Sequence, residues 1–178
     1  MHLTRTRGLL LASVFALALA VPASTANVRG PGATPLLQQI REHRAVTWRW
    51  QRVMGKPLTR VLRRERTDRS PEYVLRLRDR WKARAERARK RAHRPPHLRA
   101  WRCIHRYEGP WDDPNAPYYG GLQMDLSFQR TYGRRLLRTK GTADHWTPLE
   151  QIWVAEKALR AGRGFYPWPT TARRCGLI

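Results

Sequence analysis

Glu108 lies in the stretch Cys103-Ile104-His105-Arg106-Tyr107-Glu108-Gly109, with Trp111 just beyond it. Ile104, Tyr107 and Trp111 are bulky enough to desolvate a carboxyl between them. A carboxyl kept protonated by apolar surroundings can act as a general acid, the group that protonates a glycosidic oxygen. The plain alternative, which spacing alone favours, is a surface glutamate at a helix end. A second feature is Tyr118-Tyr119-Gly120-Gly121-Leu122-Gln123. Its tyrosines can stack on sugar rings, its glycines allow close backbone approach or a tight turn, and the Gln123 amide can bridge two sugar polar groups. An ordinary aromatic loop reads equally well from spacing.

Hydrolysis of a glycoside in the manner of lysozyme needs a second carboxylate. Asp112, Asp113 and Asp125 are the candidates by position. Asp112 and Asp113 read first as turn residues, and Asp125 stands near a helix start, where an acid suits the dipole. His43, His93, His97, His105 and His145 are scattered without ligand spacing, so no metal site and no cofactor is expected. No Ser or Cys has a triad context. Trp146, Trp153 and Trp168 read as core, whereas Trp111 is open to a role in a cleft.

The elements that must position these residues are helical. Leu36, Leu37 and Ile40 share a face, followed by Trp48, Trp50, Val53 and Met54 before Gly55-Lys56-Pro57 ends the segment. Ser70-Pro71-Glu72 has the makings of a helix start, and Val74, Leu77, Trp81, Ala85, Ala88 and Ala92 then step by three or four up to Arg94-Pro95-Pro96. These patterns predict a basic helical hairpin over residues 36–94 and a linker over 95–100. Further on, Trp101, Ile104, Tyr107 and Glu108 share one side of a short helix. Phe128, Tyr132 and Leu136 predict a helix over 124–138, and Thr147-Pro148-Leu149-Glu150 has the pattern of a capping box. Gly162 to Gly164 ends that helix, and Thr171–Arg174 has room for one helical turn. No strand alternation stands out, so the expected class is mainly α: a small domain over 101–178 preceded by the basic hairpin.

The chain of 178 residues carries a net charge of +23, and the charge is uneven. Residues 27–100 hold 22 Lys and Arg against 6 Asp and Glu, whereas 101–178 hold 12 against 7. A basic half of this kind suits anionic wall polymers, a nonspecific nucleic-acid partner, or a merely solvated helical face. Arg5 and Arg7 precede an uncharged apolar run from Gly8 to Val21, then Pro22 and the small residues Ser24-Thr25-Ala26. That pattern predicts a signal peptide over 1–26, and the run falls short of the ~20 residues that span a bilayer. No stable membrane span is expected in the mature chain. Residues 27–35 are Pro- and Gly-rich and are expected to form a disordered linker. Export argues against nucleic acid and makes the only two cysteines, Cys103 and Cys175, a candidate disulfide.

Residues 101–178 resemble the transglycosylase-like domain of actinobacterial resuscitation-promoting factors, a lysozyme-like family acting on peptidoglycan. The resemblance rests on W-R-C-I-H-R-Y-E-G, Y-Y-G-G-L-Q-M-D, F-Q-x-T-Y-G, T-P-L-E-Q-I-x-V-A-E and G-R-G-F-Y-P-W-P…C-G-L, in order and at matching spacing. It implies a lysozyme-like fold, Glu108 as the catalytic acid, and Tyr119, Gly120, Gly121 and Gln123 shaping a saccharide cleft. It also implies a Cys103–Cys175 disulfide tying the catalytic helix to the C-terminal segment. The sequence departs from the family in two places. The family has Cys immediately before the Glu and Ser immediately after it. Here Cys103 lies five positions before, and Gly109 follows. The expectation is a secreted, wall-associated enzyme that cleaves peptidoglycan glycan strands, as a hydrolase or, with a single carboxylate, as a lytic transglycosylase. The alternatives are a catalytically inactive wall-binding module and an exported basic nucleic-acid-binding protein.

Overall fold

Two long antiparallel helices, α1 (Ala33–Val53) and α3 (Pro71–Ala92), form the basic half, with a single short helix α2 (Arg63–Thr67) in the connection between them. The computed structural model describes residues 33–178. The expected signal peptide and most of the expected linker therefore lie outside the described residues, while α1 already begins at Ala33 within the stretch read as linker. The stripe Val74, Leu77, Trp81, Ala85, Ala88 and Ala92 is buried along its whole length, because residues three and four apart face the same way on a helix. Ile40 joins Tyr73, Val74, Leu77 and Trp81 in one cluster. Ser70 sits at the N-cap of α3, but its hydroxyl donates to Asp68 rather than accepting from the helix.

The carboxylate of Glu65, on α2, is buried between the two long helices. Trp81 Nε1 donates to its Oε2 at 2.9 Å, and the guanidinium groups of Arg44 and Arg84 stand 3.7 and 4.0 Å away. Those same guanidiniums lie 5.2 and 4.9 Å from the centre of the Trp81 ring. The charged cluster thus surrounds one buried tryptophan, and a buried acid is tolerable only with such partners.

The C-terminal part comprises α4 (Leu98–Glu108), a two-stranded antiparallel ribbon of β1 (Tyr118–Tyr119) and β2 (Met124–Asp125), α5 (Leu126–Tyr132), α6 (Arg134–Lys140), α7 (Pro148–Ala158) and α8 (Pro169–Arg174). The molecule is mainly α. Strands of two residues leave no alternation to read, so the ribbon is invisible to periodicity. α4 begins at Leu98, inside the segment read as a linker. Pro95 is buried there, and the His97 N–H donates to Glu156 Oε1 at 2.8 Å, so 95–100 packs rather than spaces. The single helix expected over 124–138 is broken at Gly133, where a Cβ would run into the Trp146 ring. The glycine leaves room for that ring to pack against the helix junction.

α7 lies at the centre and is buried almost all round from Glu150 to Glu156. Its start carries the full capping box, with Thr147 and Glu150 bonding reciprocally and Pro148 in the first turn. Trp101, Ile104, Leu122, Met124, Trp146, Ile152 and Trp168 gather around it in the main core. On its other side Trp153 packs with Met54, Ala88 and Ala92, and its Nε1 donates to the Ala92 carbonyl at 2.9 Å. The hairpin and the C-terminal helices therefore share one core, and the described residues form a single compact unit.

Candidate active site

α4 carries Glu108 at its last position. Trp101 and Ile104 are fully buried on the inner face of α4, and Glu108, four residues after Ile104, emerges half-buried at the edge of that face. The helix stops there because Gly109 adopts φ 154° and ψ −175°, a region open essentially only to glycine. A residue with a side chain would be strained at this backbone.

Thr171, buried on α8, donates its hydroxyl to Glu108 Oε1 at 2.6 Å. α8 is held against α4 by the Cys103–Cys175 disulfide, whose Cα atoms are 6.0 Å apart. The shift of Cys103 along α4 is thus compatible with the bond. Glu108 Oε2 accepts from no group among the described residues and is not sealed from solvent. Of the neighbours expected to desolvate Glu108, Ile104 belongs to the core. Tyr107 is 45 % exposed and lies under the Arg174 guanidinium, and Trp111 is turned onto His105 with ring centres 3.9 Å apart.

The loop after α4 is tied down by Asp113. Its carboxylate accepts from the Asn115 N–H at 3.1 Å and from Gln123 Nε2 at 2.8 Å. The Asn115 backbone donor first, and Gln123 second, hold this carboxyl below the ordinary aspartate range. Gln123 Nε2 also reaches the Gly120 carbonyl at 3.1 Å, and Gln123 itself sits at φ 46°, unusual for a residue with a side chain. A Cβ on Gly109 would stand 3.5 Å from both Asp113 Oδ2 and Gln123 Nε2, so this pair lies directly beside the end of the Glu108 helix.

Gly120 and Gly121 are both buried, and their missing side chains make room for protein. A Cβ at 120 would meet the Gln151 amide at 2.6 Å, and one at 121 would meet His105 and Trp111 at 2.6 and 2.7 Å. Gln151, on α7, donates through Nε2 to the carbonyls of Trp111, Ala143 and Trp146 at 2.7, 2.9 and 3.1 Å. It ties the loop after α4 to the connection between α6 and α7, although its position in the sequence carries no chemical signature. Thr171 is equally unsignalled, being 63 residues from the carboxyl it meets.

The chain thus brings together Glu108, Gly109, Asp113, Gln123 and Thr171. Tyr119 packs against the core, whereas its neighbour on β1, Tyr118, is half exposed. Trp111 faces a separate cavity of about 440 Å³ lined also by His93, Leu98, His105 and Ile152. Asp125 caps α5 by accepting from the Phe128 N–H at 2.6 Å, and Asp112 is exposed without a hydrogen-bonding partner among the described residues. The arrangement can hold a carboxyl by one oxygen and present the other to a bound molecule. No helix among the described residues is long and apolar enough to cross a membrane. Compared with protein-family models, curated proteins and solved structures, the chain matches none.

Proposed function

We propose that residues 101–178 form a lysozyme-like domain that cleaves the glycan strands of peptidoglycan outside the cell, with Glu108 as the sole catalytic acid and base. The observation that carries this reading is the half-held carboxyl, with Oε1 taking the Thr171 hydroxyl and Oε2 left open. Orientation by one fixed hydrogen bond is what a proton donor needs. The motifs shared with the transglycosylase-like family support the same role.

Protonated Glu108 gives its proton to the bridging oxygen as the anomeric C–O bond breaks. The leaving sugar departs with a new hydroxyl. The C6 hydroxyl of the sugar that keeps the anomeric carbon then attacks that carbon, and its proton returns to Glu108. An intramolecular 1,6-anhydro linkage results, no water is consumed and the acid is regenerated. This lytic transglycosylase route asks for no second carboxylate. It accords with Asp125 being committed to a helix cap and Asp113 to Asn115 and Gln123. Gln123 Oε1, its Nε2 being taken by Asp113 and the Gly120 carbonyl, and the exposed Tyr118 are the groups offered to the saccharide.

The test is mass spectrometry of soluble products after the protein is incubated with purified peptidoglycan, beside the Glu108→Gln variant. Anhydro-muropeptides that vanish in the variant are expected. Reducing-end products that vanish would make the protein a hydrolase and turn attention to Asp112. No release by a folded protein that pellets with the wall would leave a binding module.

A further inference from the structure

A cavity of about 790 Å³ opens where the end of α1 and its following turn meet α6 and α7. Six cations line it: Arg52 and Lys56 from the hairpin, Arg134, Arg135 and Arg138 from α6, and Lys157 from α7. No acid lines it, and none of the six forms an ion pair among the described residues. Its floor is apolar, made of Leu136, Trp153 and Val154. A second space of about 530 Å³ shares Arg52, Val53 and Arg135 with the first, so the two run together as a trough along α1; the one acid in this second part, Glu150, is paired with Lys140 at 2.6 Å. Unpaired like charges crowded around a concave surface are unfavourable unless an anion joins them, and such a surface focuses the field on what enters it.

We propose that this trough binds a linear polyanion whose backbone repeats phosphodiester groups without bases, such as a polyol-phosphate polymer of the cell envelope. Two features favour that occupant over nucleic acid. Single-stranded nucleic acid is held by open aromatic faces on which bases stack. Trp153 is 5 % exposed with its Nε1 committed to Ala92, and the trough's other aromatics, the half-buried Tyr132 and Trp50, pack on Phe128 and His93. A duplex is read by an element that projects into its groove, whereas this surface is concave. The cations come from both halves of the molecule, so the site exists only where the hairpin and the C-terminal helices share their core. It is separate from Glu108 and does not depend on cleavage, although the choice of an envelope polymer rests on the reading that the protein acts outside the cell.

The experiment is fluorescence anisotropy of a labelled glycerol-phosphate oligomer with the full-length protein across a salt series, beside single-stranded DNA of equal charge. Arg135→Gln with Arg138→Gln, and separately Arg52→Gln with Lys56→Gln, should each weaken binding of the oligomer about tenfold or more and flatten its salt slope by roughly 1–2. Arg76→Gln with Arg80→Gln removes the same charge from the exposed outer face of α3 and should change binding less than about twofold. Circular dichroism checks that each variant is folded, and the two trough variants come from different elements. Equal weakening by the α3 control would overturn the site in favour of diffuse charge. Tighter binding of the DNA would overturn the occupant in favour of nucleic acid. Release of soluble glycan fragments should be unchanged in the trough variants, which keeps this result separate from that of Glu108→Gln.

Discussion

Thr171 is the residue on which the proposed chemistry leans after Glu108 itself. It sits on α8, touches no expected substrate, and acts through the carboxyl it orients. Thr171→Val keeps the shape and removes the donor, so Glu108 should lose its fixed rotamer while α8 keeps its packing. Glycan-strand cleavage should fall by between roughly ten- and a hundredfold, since misplacement of a catalytic group by about 1 Å has effects of that size. Thr171→Ser restores the hydroxyl and should recover most of the rate. A merely structural threonine would predict the opposite order, with the better-filling Val tolerated and Ser impaired. Gly109 bears on the same carboxyl from the other side. Gly109→Ala has room, its nearest neighbours being 3.5 Å away, but its backbone is one that side chains avoid. The expected loss is about 1–3 kcal/mol of stability, measured by urea unfolding.

At the scale of elements, α7 has the most at stake, because the loops of the candidate site hang from it through Gln151. Its start depends on Glu150. Burial pushes the Glu150 carboxyl up, but hydrogen bonds from Lys140 and from the Thr147 N–H outweigh burial and hold it below the ordinary value of 4.5. A carboxyl depressed in the folded state contributes stability in full above its unfolded pKa and loses it as pH falls through the folded value. Melting temperature should therefore fall as the solution is acidified below about pH 4.5. Glu150→Gln should remove part of that slope while lowering stability at neutral pH by about 1 kcal/mol, the worth of a cap. This capping box was legible in Thr147-Pro148-Leu149-Glu150, as was the buried stripe of α3, because both are patterns within one turn or one face. The break at Gly133 was not, since the Trp146 ring that packs against the glycine lies 13 residues on. Nor was the burial of Gln151 and Glu156, which depends on α7 being central and not on its own period. Helix periodicity locates faces against a core. It does not tell a helix with one buried side from a helix surrounded.

At the scale of the whole molecule, the disulfide joins stability to the candidate site. It closes a loop with a sequence separation of 72 and fastens α8, with Thr171, to α4, with Glu108. Two cysteines allow one intramolecular pairing, so this bond was within reach of the sequence, whereas what it aligns was not. In the chain-entropy account its removal costs about 4 kcal/mol, which in a chain of this size lowers the melting temperature by roughly 10 °C. Cys103→Ser with Cys175→Ser should show that drop by calorimetry. Because Trp153 ties the C-terminal helices to Ala92 of the hairpin, the variant should still melt in one transition. Two separated transitions would mean that the shared core is weaker than its packing suggests. The variant also separates two uses of the disulfide. If the bond serves stability alone, cleavage measured well below the melting point should match that of the parent. If it also holds Thr171 against Glu108, cleavage should fall at temperatures where the fold is intact, and Thr171→Val should add little on top of it, since both changes release the same carboxyl.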